Sequence, residues 1–75
     1  MKKVNLEKIK AHRKANELSL EDMSKLLGYE SANGYYYLET GRGKFTAEAL
    51  AKVADRFGVP IDELFFVDDI TEMAN

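Results

Sequence analysis

The sequence predicts a single all-α domain, a compact bundle of five short helices. Apolar residues recur at helical spacing, capping residues stand before the apolar segments, and no segment alternates as a strand would. A chain of 75 residues can bury one small core, near the lower limit at which burial alone stabilises a fold. We predict the domain to occupy residues 1–67 and an acidic, polar tail to occupy residues 68–75.

Capping residues mark where the predicted helices begin. An N-cap side chain accepts a hydrogen bond from a backbone N–H group of the first turn, which otherwise lacks a partner. Asp22 stands three residues after Ser19, the spacing of a capping box. Pro60 suits the first turn of a short fifth helix, because it has no N–H group to satisfy. N-caps are predicted at Asn5, Ser19 and Thr46.

Glycine and asparagine mark where these helices end. Gly28 and Gly58 are predicted to end the second and fourth helices, since glycine enters the left-handed conformation without a steric penalty. Asn16 is predicted to end the first helix in the same conformation. The first three helices should cover about residues 6–15, 20–27 and 31–39.

The apolar positions of these helices predict the core, because residues at intervals of three and four share one helix face. The predicted core residues are Leu6, Ile9, Leu18, Met23, Leu26, Leu27, Tyr35, Leu38, Leu50, Val53, Phe57, Ile61 and Leu64.

Composition restricts the class of function. The chain has no cysteine, which excludes disulfides and thiolate metal sites and fits a reducing cytoplasm. No apolar run reaches the length of a membrane helix, so we predict a cytoplasmic protein without membrane association. The single histidine, His12, has no Asp or Glu at ligand spacing, and no nucleophile is paired with a base. No metal, no cofactor and no enzymatic activity are therefore predicted.

Charge is unevenly distributed along the chain. The net charge is −2, but residues 1–15 hold six basic residues against one acidic residue, a net +5. Residues 46–75 hold two basic residues against seven acidic ones, a net −5. A domain polarised in this way can still present a basic face to phosphate groups.

The residues from Leu18 to Arg42 carry a resemblance to a known family. Leu18-Ser19, Met23-Ser24, Gly28 and the run Leu38-Glu39-Thr40-Gly41-Arg42 resemble the helix-turn-helix of phage-repressor (Cro/C1, or XRE) DNA-binding domains. The resemblance extends from about Leu6 to Phe65. It implies a sequence-specific transcriptional regulator, with repression as the expected mode, that reads the major groove of an operator with its third helix.

The resemblance implies that outward residues of the third helix contact bases. Tyr35 and Leu38 take the buried positions, and the amide of Asn33 suits adenine. The tyrosines that follow could donate to phosphates or lay their rings against sugars and thymine methyl groups. The alternative, that all three tyrosines are core residues, conflicts with a helical turn of about 100° per residue. The predicted base-contacting residues are Ala32, Asn33, Tyr36 and Tyr37.

The loop after the third helix is implied to contact the DNA backbone through Thr40, Arg42 and Lys44. The alternative is that such a short Gly/Lys/Arg loop is simply solvated. The resemblance further implies an ion pair between Arg13 and Glu39 that ties the first helix to the third.

Several features depart from the family pattern. The segment from Gly28 to Glu39 is one residue longer than usual, Leu20 replaces a common glutamine, and Phe45 replaces a proline. Phe45 is expected to pack under the fourth helix. Gly34 either permits a close backbone approach, to DNA or to the second helix, or the third helix begins near it.

Two kinds of partner are predicted. A homodimer on a double-stranded operator is expected, because half-sites about 34 Å apart suit two copies of such a domain. Its best local contact is Phe65-Phe66 beside Val67, unless Phe65 fills the core. The alternative is a protein partner, as for the antitoxin of a toxin–antitoxin pair, favoured by the pI near 5.3 and by Leu20.

Overall fold

The computed structural model describes residues 3–67, and these fold into four α-helices and one 3₁₀ helix. The helices are α1 (Leu6–Ala15), α2 (Leu20–Leu27), α3 (Ala32–Glu39), α4 (Ala47–Phe57) and the 3₁₀ helix (Ile61–Leu64). The all-α fold class is confirmed, whereas a fifth α-helix is not found in the described part. The predicted tail at residues 68–75 lies outside the described residues.

The predicted N-caps form the expected hydrogen bonds. Asn5 accepts from the N–H group of Lys8 at 3.1 Å, and Thr46 accepts from that of Ala49 at 3.0 Å. Ser19 and Asp22 complete the capping box with two bonds of 2.9 Å. Hydrogen bonds from the backbone N–H group and then the side chain of Ser19 hold the pKa of Asp22 below its ordinary value.

The end of α1 differs from the prediction. Asn16 has φ −93° rather than a left-handed conformation, and the positive φ of 56° falls on Glu17. The side-chain amide of Asn16 instead donates to the carbonyl of His12 at 2.8 Å. Asn16 thus satisfies one of the carbonyl groups at the helix end, and the chain turns one residue later.

A backbone pairing takes the place of the predicted fifth α-helix. The N–H group of Asn5 donates to the carbonyl of Leu64 at 2.8 Å, and that of Phe66 donates to Lys3 at 2.9 Å. Val4 and Phe65 thereby form an isolated antiparallel bridge. Since Phe65 is extended, with φ −110° and ψ 160°, the helix stops after one 3₁₀ turn.

Most of the predicted core residues are buried, and the prediction is wrong for one of them. Ile61 is exposed, whereas Leu6, Leu26 and Leu27 are only partly buried. Phe45 packs against α3, with its ring centroid 6.2 Å from that of Tyr35 in an edge-on arrangement. The buried apolar residues are Ile9, Leu18, Met23, Tyr35, Leu38, Leu50, Val53, Ala54, Phe57 and Leu64. None of the helices within residues 3–67 is long and apolar enough to cross a membrane.

Candidate nucleic-acid interface

The unit formed by α2, a turn and α3 positions the candidate interface. Gly28 ends α2 with φ 87°, a conformation that side chains with a Cβ atom rarely adopt. The N–H groups of Gly28 and Tyr29 donate back to Lys25 and Ser24, at 3.2 and 2.9 Å. The chain is thereby closed at the end of α2, and α3 begins at Ala32 after three turn residues.

A buried serine joins the two helices. Ser24 is buried in α2, and its hydroxyl accepts a hydrogen bond from the backbone N–H group of Tyr35 at 3.0 Å. Tyr35 is the fourth residue of α3. In α1, α2 and α4 the N–H group of the fourth residue donates to the carbonyl of the N-cap residue instead. Ser31, the N-cap of α3, makes no side-chain capping bond. The first turn of α3 is therefore held by α2 through Tyr35, in addition to the bond from the N–H group of Gly34 to the carbonyl of Ser31 at 3.1 Å.

The position of Tyr29 explains the glycine in α3. A Cβ atom added to Gly34 would lie 2.5 Å from Cγ and 2.6 Å from Cβ of Tyr29. Such distances are far inside van der Waals contact. α3 begins at Ala32, two residues before Gly34, so the helix does begin near this glycine. Gly34 also permits a close approach, and the approaching group is the turn residue Tyr29.

The outer face of α3 carries polar and aromatic side chains. Asn33 is exposed, and Tyr36 and Tyr37 are 42% and 45% exposed. Ala32 is half-buried at the start of the helix. The opposite face is buried through Tyr35, Leu38 and Glu39. Burial of one of the three tyrosines and exposure of two agree with the predicted helical geometry.

The loop after α3 is folded back onto Tyr37. The carbonyl oxygen of Tyr37 accepts hydrogen bonds from the N–H groups of Arg42 and Gly43, at 2.9 and 3.0 Å. The hydroxyl of Thr40 donates to the same oxygen at 3.3 Å. The guanidinium carbon of Arg42 lies 5.7 Å from the centroid of the Tyr37 ring. Arg42 and Lys44 are exposed, while the donors of Thr40 are used within the protein.

The structure brings Arg13 and Glu39 together in a buried ion pair. Nε and Nη2 of Arg13 donate to the two carboxylate oxygens of Glu39, at 2.8 and 3.1 Å. Nη1 donates to the carbonyl of Leu18 at 2.9 Å. The hydrogen bond to Glu39 raises the pKa of Arg13, so the guanidinium stays charged. This side chain connects α1, the start of the α2 segment and the end of α3.

Tyr35 lies beside this ion pair. Its hydroxyl is buried without a hydrogen-bond partner in the described residues. Burial, followed by the nearby carboxylate of Glu39, raises the pKa of Tyr35. The phenol is therefore a neutral part of the core.

The ion pair decides the charge of the surface formed by residues 31–44. Glu39 is the single acidic residue in this segment, and Arg42 and Lys44 are its basic residues. Since Glu39 is buried and paired, the accessible surface of the segment carries a net +2. Glu30, in the turn just before this segment, is exposed, so the basic charge lies on the side of the loop that follows α3.

The basic amino-terminal segment is partly neutralised within the protein. Arg13 is paired with Glu39, and Nζ of Lys8 lies 3.5 Å from Oε2 of Glu63. Nε2 of His12 lies 3.2 Å from the same oxygen, and its ring stacks on Phe57 with centroids 5.5 Å apart. His12 thus has a structural position. The described residues contain no group of three or more metal-ligating side chains.

Sequence reasoning missed Tyr29 and the contact of Tyr37 with Arg42. A tyrosine followed five residues later by a glycine inside a predicted helix was the available signal for the first. Leu20, where a glutamine is common in related motifs, is half-buried and packs against the core. Leu20 therefore contributes apolar packing at the start of α2.

Comparison with known proteins agrees with this geometry. No curated protein and no solved structure matches the chain. A family model described as helix-turn-helix matches residues 9–64, a range that contains α2, the turn, α3 and α4. The chain therefore belongs to the helix-turn-helix family of the Cro/C1 (XRE) type, a family of DNA-binding regulatory domains.

Proposed function

We propose that this protein is a sequence-specific transcriptional regulator, acting as a repressor, that reads the major groove of its operator with α3. One observation carries the proposal. The outer face of α3 holds accessible amide and aromatic groups, and the basic loop follows directly, while the single acid of the segment is buried. Major grooves admit an α-helix and display base edges to it. Occupying a promoter would block transcription without any chemistry by the protein.

Base reading is proposed for Asn33 and Tyr36, with Ala32 and Tyr37 at the two ends of the reading surface. The amide of Asn33 has a donor and an acceptor, which match N7 and N6 of adenine. The half-exposed ring of Tyr36 suits a thymine methyl group or a sugar. Ala32 is small enough for the backbone of the first turn to approach a base pair.

Phosphate binding is proposed for Arg42 and Lys44. Both side chains are exposed, and the hydrogen bonds from Arg42 and Gly43 to the carbonyl of Tyr37 hold the loop backbone up to the residue before Lys44. Thr40 would contribute only if its hydroxyl exchanged the bond to Tyr37 for one to a phosphate oxygen. Charged side chains rather than loop N–H groups therefore supply the proposed grip.

Two classes of variant distinguish phosphate contacts from base contacts. Arg42→Ala and Lys44→Ala should each weaken binding to all duplexes alike, and each should reduce the slope of log K against log salt by about 0.9, because one phosphate contact is lost. Asn33→Ala should cost about 1–3 kcal/mol on the selected site and little on scrambled DNA. The measurement is binding against salt concentration, with duplexes selected from a random pool and with scrambled duplexes.

Lys52→Ala is the matched control, because Lys52 is an exposed lysine on α4 rather than in the loop. Its salt slope should equal that of the wild type. A wild-type protein that shows no preference between selected and scrambled duplexes at any salt would refute sequence reading. The protein-partner alternative would then take its place.

A homodimer is proposed through the residues after the 3₁₀ helix. Phe66 and Val67 are 52% and 69% exposed, whereas Phe65 is half-buried and packs against the core. Phe66→Asp should therefore yield monomers in sedimentation, with unchanged helical content, because a charge would be desolvated in the contact. Tyr36→Asp, which alters an exposed aromatic residue on α3, should leave the association unchanged. A Phe66→Asp variant that remains dimeric would place the interface elsewhere.

A further inference from the structure

Two neighbouring tyrosines at the surface of α3 have different surroundings. Tyr36 and Tyr37 are similarly exposed, and their rings are 6.4 Å apart and tilted by 44°. The carbonyl of Tyr36 accepts only from the N–H group of Thr40, at 3.0 Å, whereas Tyr37 has contacts further along the phosphate-binding loop. Its carbonyl accepts from Arg42, Gly43 and Thr40, and its ring lies beneath the guanidinium of Arg42 at 5.7 Å.

We propose that Tyr37 is a positioning residue for DNA binding, whose ring holds the guanidinium of Arg42 ready for a phosphate group. This inference rests on the proposed function and replaces base reading by Tyr37 with a different role. A guanidinium within about 6 Å of an aromatic centroid is attracted to the ring face. Arg42 remains exposed in this contact, so its N–H groups stay accessible to phosphate oxygens.

The benefit of the ring is a smaller loss of freedom on binding. An arginine side chain is flexible, and immobilising such a chain at an interface costs about 0.5–1.5 kcal/mol, a factor of about two to ten in affinity. The ring of Tyr37 restricts the side chain of Arg42 before DNA binds. The loop that carries Arg42 is hydrogen-bonded to the carbonyl of the same residue, so ring and loop keep a fixed relative position. The backbone bonds of Tyr37 persist in any side-chain variant, so substitutions test the ring alone.

The test is a double-mutant cycle on scrambled DNA, where base reading contributes little. Tyr37→Leu should weaken binding about two- to tenfold with an unchanged salt slope, because the charge of Arg42 is retained. In an Arg42→Ala background, Tyr37→Leu should have no further effect. Tyr37→Phe should bind as the wild type does, since the ring remains. A loss with Tyr37→Phe would mean that the hydroxyl contacts DNA, which would overturn the proposal.

Tyr36→Leu is the matched control, because Tyr36 has the same exposure and no contact with Arg42 among those described. Its effect should add to that of Arg42→Ala rather than vanish. Additivity for Tyr37→Leu as well would overturn the positioning role while leaving DNA binding intact. Failure of the wild type to bind DNA at any salt would instead refute the proposed function itself, and this inference with it.

A measurement without DNA examines the contact directly. Protons of the Arg42 side chain should be shifted upfield in the NMR spectrum by the ring of Tyr37, and Tyr37→Leu should restore ordinary shifts. The same protons in Tyr36→Leu should keep their wild-type shifts. Ordinary Arg42 shifts in the wild-type protein would contradict the contact between Arg42 and the ring of Tyr37 and overturn the proposal. Thermal unfolding of each variant verifies that the fold is retained.

Discussion

Glu39→Ala should lower the free energy of unfolding by about 3–5 kcal/mol, the usual cost of removing one partner of a buried ion pair. The variant would leave the guanidinium of Arg13 buried with two of its donors unpaired. Native domains have a total stability of only about 5–15 kcal/mol, and a chain of this size belongs near the lower end. Urea unfolding followed by circular dichroism measures the change.

Two controls separate this effect from general loss of charge. Glu21→Ala removes an exposed carboxylate in the first turn of α2, and should cost no more than about 0.3–1 kcal/mol through the helix dipole. The double variant Arg13→Met/Glu39→Leu should recover much of the stability, since apolar replacements of a buried pair are often tolerated. Recovery would be incomplete if the Leu18 carbonyl, which Arg13 also serves, is left without a donor. Equal unfolding midpoints for Glu39→Ala and Glu21→Ala would show that the pair is unimportant for stability.

Much of the fold could be predicted because its signals are local. The capping box of Ser19 and Asp22 involves residues three apart, so sequence spacing is enough to predict it. The apolar faces of α2 and α4 depend only on helical periodicity. The outward face of α3 could be predicted in the same way, because a helix that turns by about 100° per residue cannot bury three successive tyrosines.

Features that depend on distant parts of the chain could not be predicted in this way. The 3₁₀ helix ends early because residues 64–66 pair with the amino-terminal segment, a contact between the two ends of the domain. Ile61 consequently misses the core. Asparagine is common at left-handed helix ends, yet the side-chain amide of Asn16 donates to the carbonyl of His12, one turn earlier in α1. In each case a tertiary or side-chain hydrogen bond prevailed over a weak local preference.

The candidate site likewise has features that local sequence can predict and features that it cannot. The outward positions of α3 follow from helix geometry, whereas the organisation of the loop by Tyr37 does not. A resemblance to a family can suggest that Arg42 and Lys44 contact phosphate. It cannot indicate that the N–H groups of residues 40–43 are bonded within the protein, so that in this part of the loop the charged side chain is left to make the proposed contact.

Gly34→Ala is the second substitution with a large expected effect. We expect it to lower the free energy of unfolding, which is unusual for the replacement of glycine by alanine in a helix. Alanine is favoured over glycine in a helix by about 1 kcal/mol, so propensity alone predicts a stabilised protein. The added methyl group would lie 2.5 Å from Cγ of Tyr29, and overpacking of this kind costs about 1–3 kcal/mol. We therefore expect a net loss of unfolding free energy, measured by urea denaturation, together with weaker DNA binding because the first turn of α3 must move away from Tyr29.

The turn residue provides the control for this prediction. In a Tyr29→Ala background Gly34→Ala should still be destabilising, because Cβ of residue 29 would remain 2.6 Å from the new methyl group. In a Tyr29→Gly background all three close atoms of Tyr29 are gone, and the same substitution should stabilise the protein by up to about 1 kcal/mol. This reversal of sign between two backgrounds that differ by one methyl group is specific to a steric contact at residue 29. A Gly34→Ala protein about 1 kcal/mol more stable than the wild type would show instead that the turn yields without cost, and that Tyr29 does not set the position of α3.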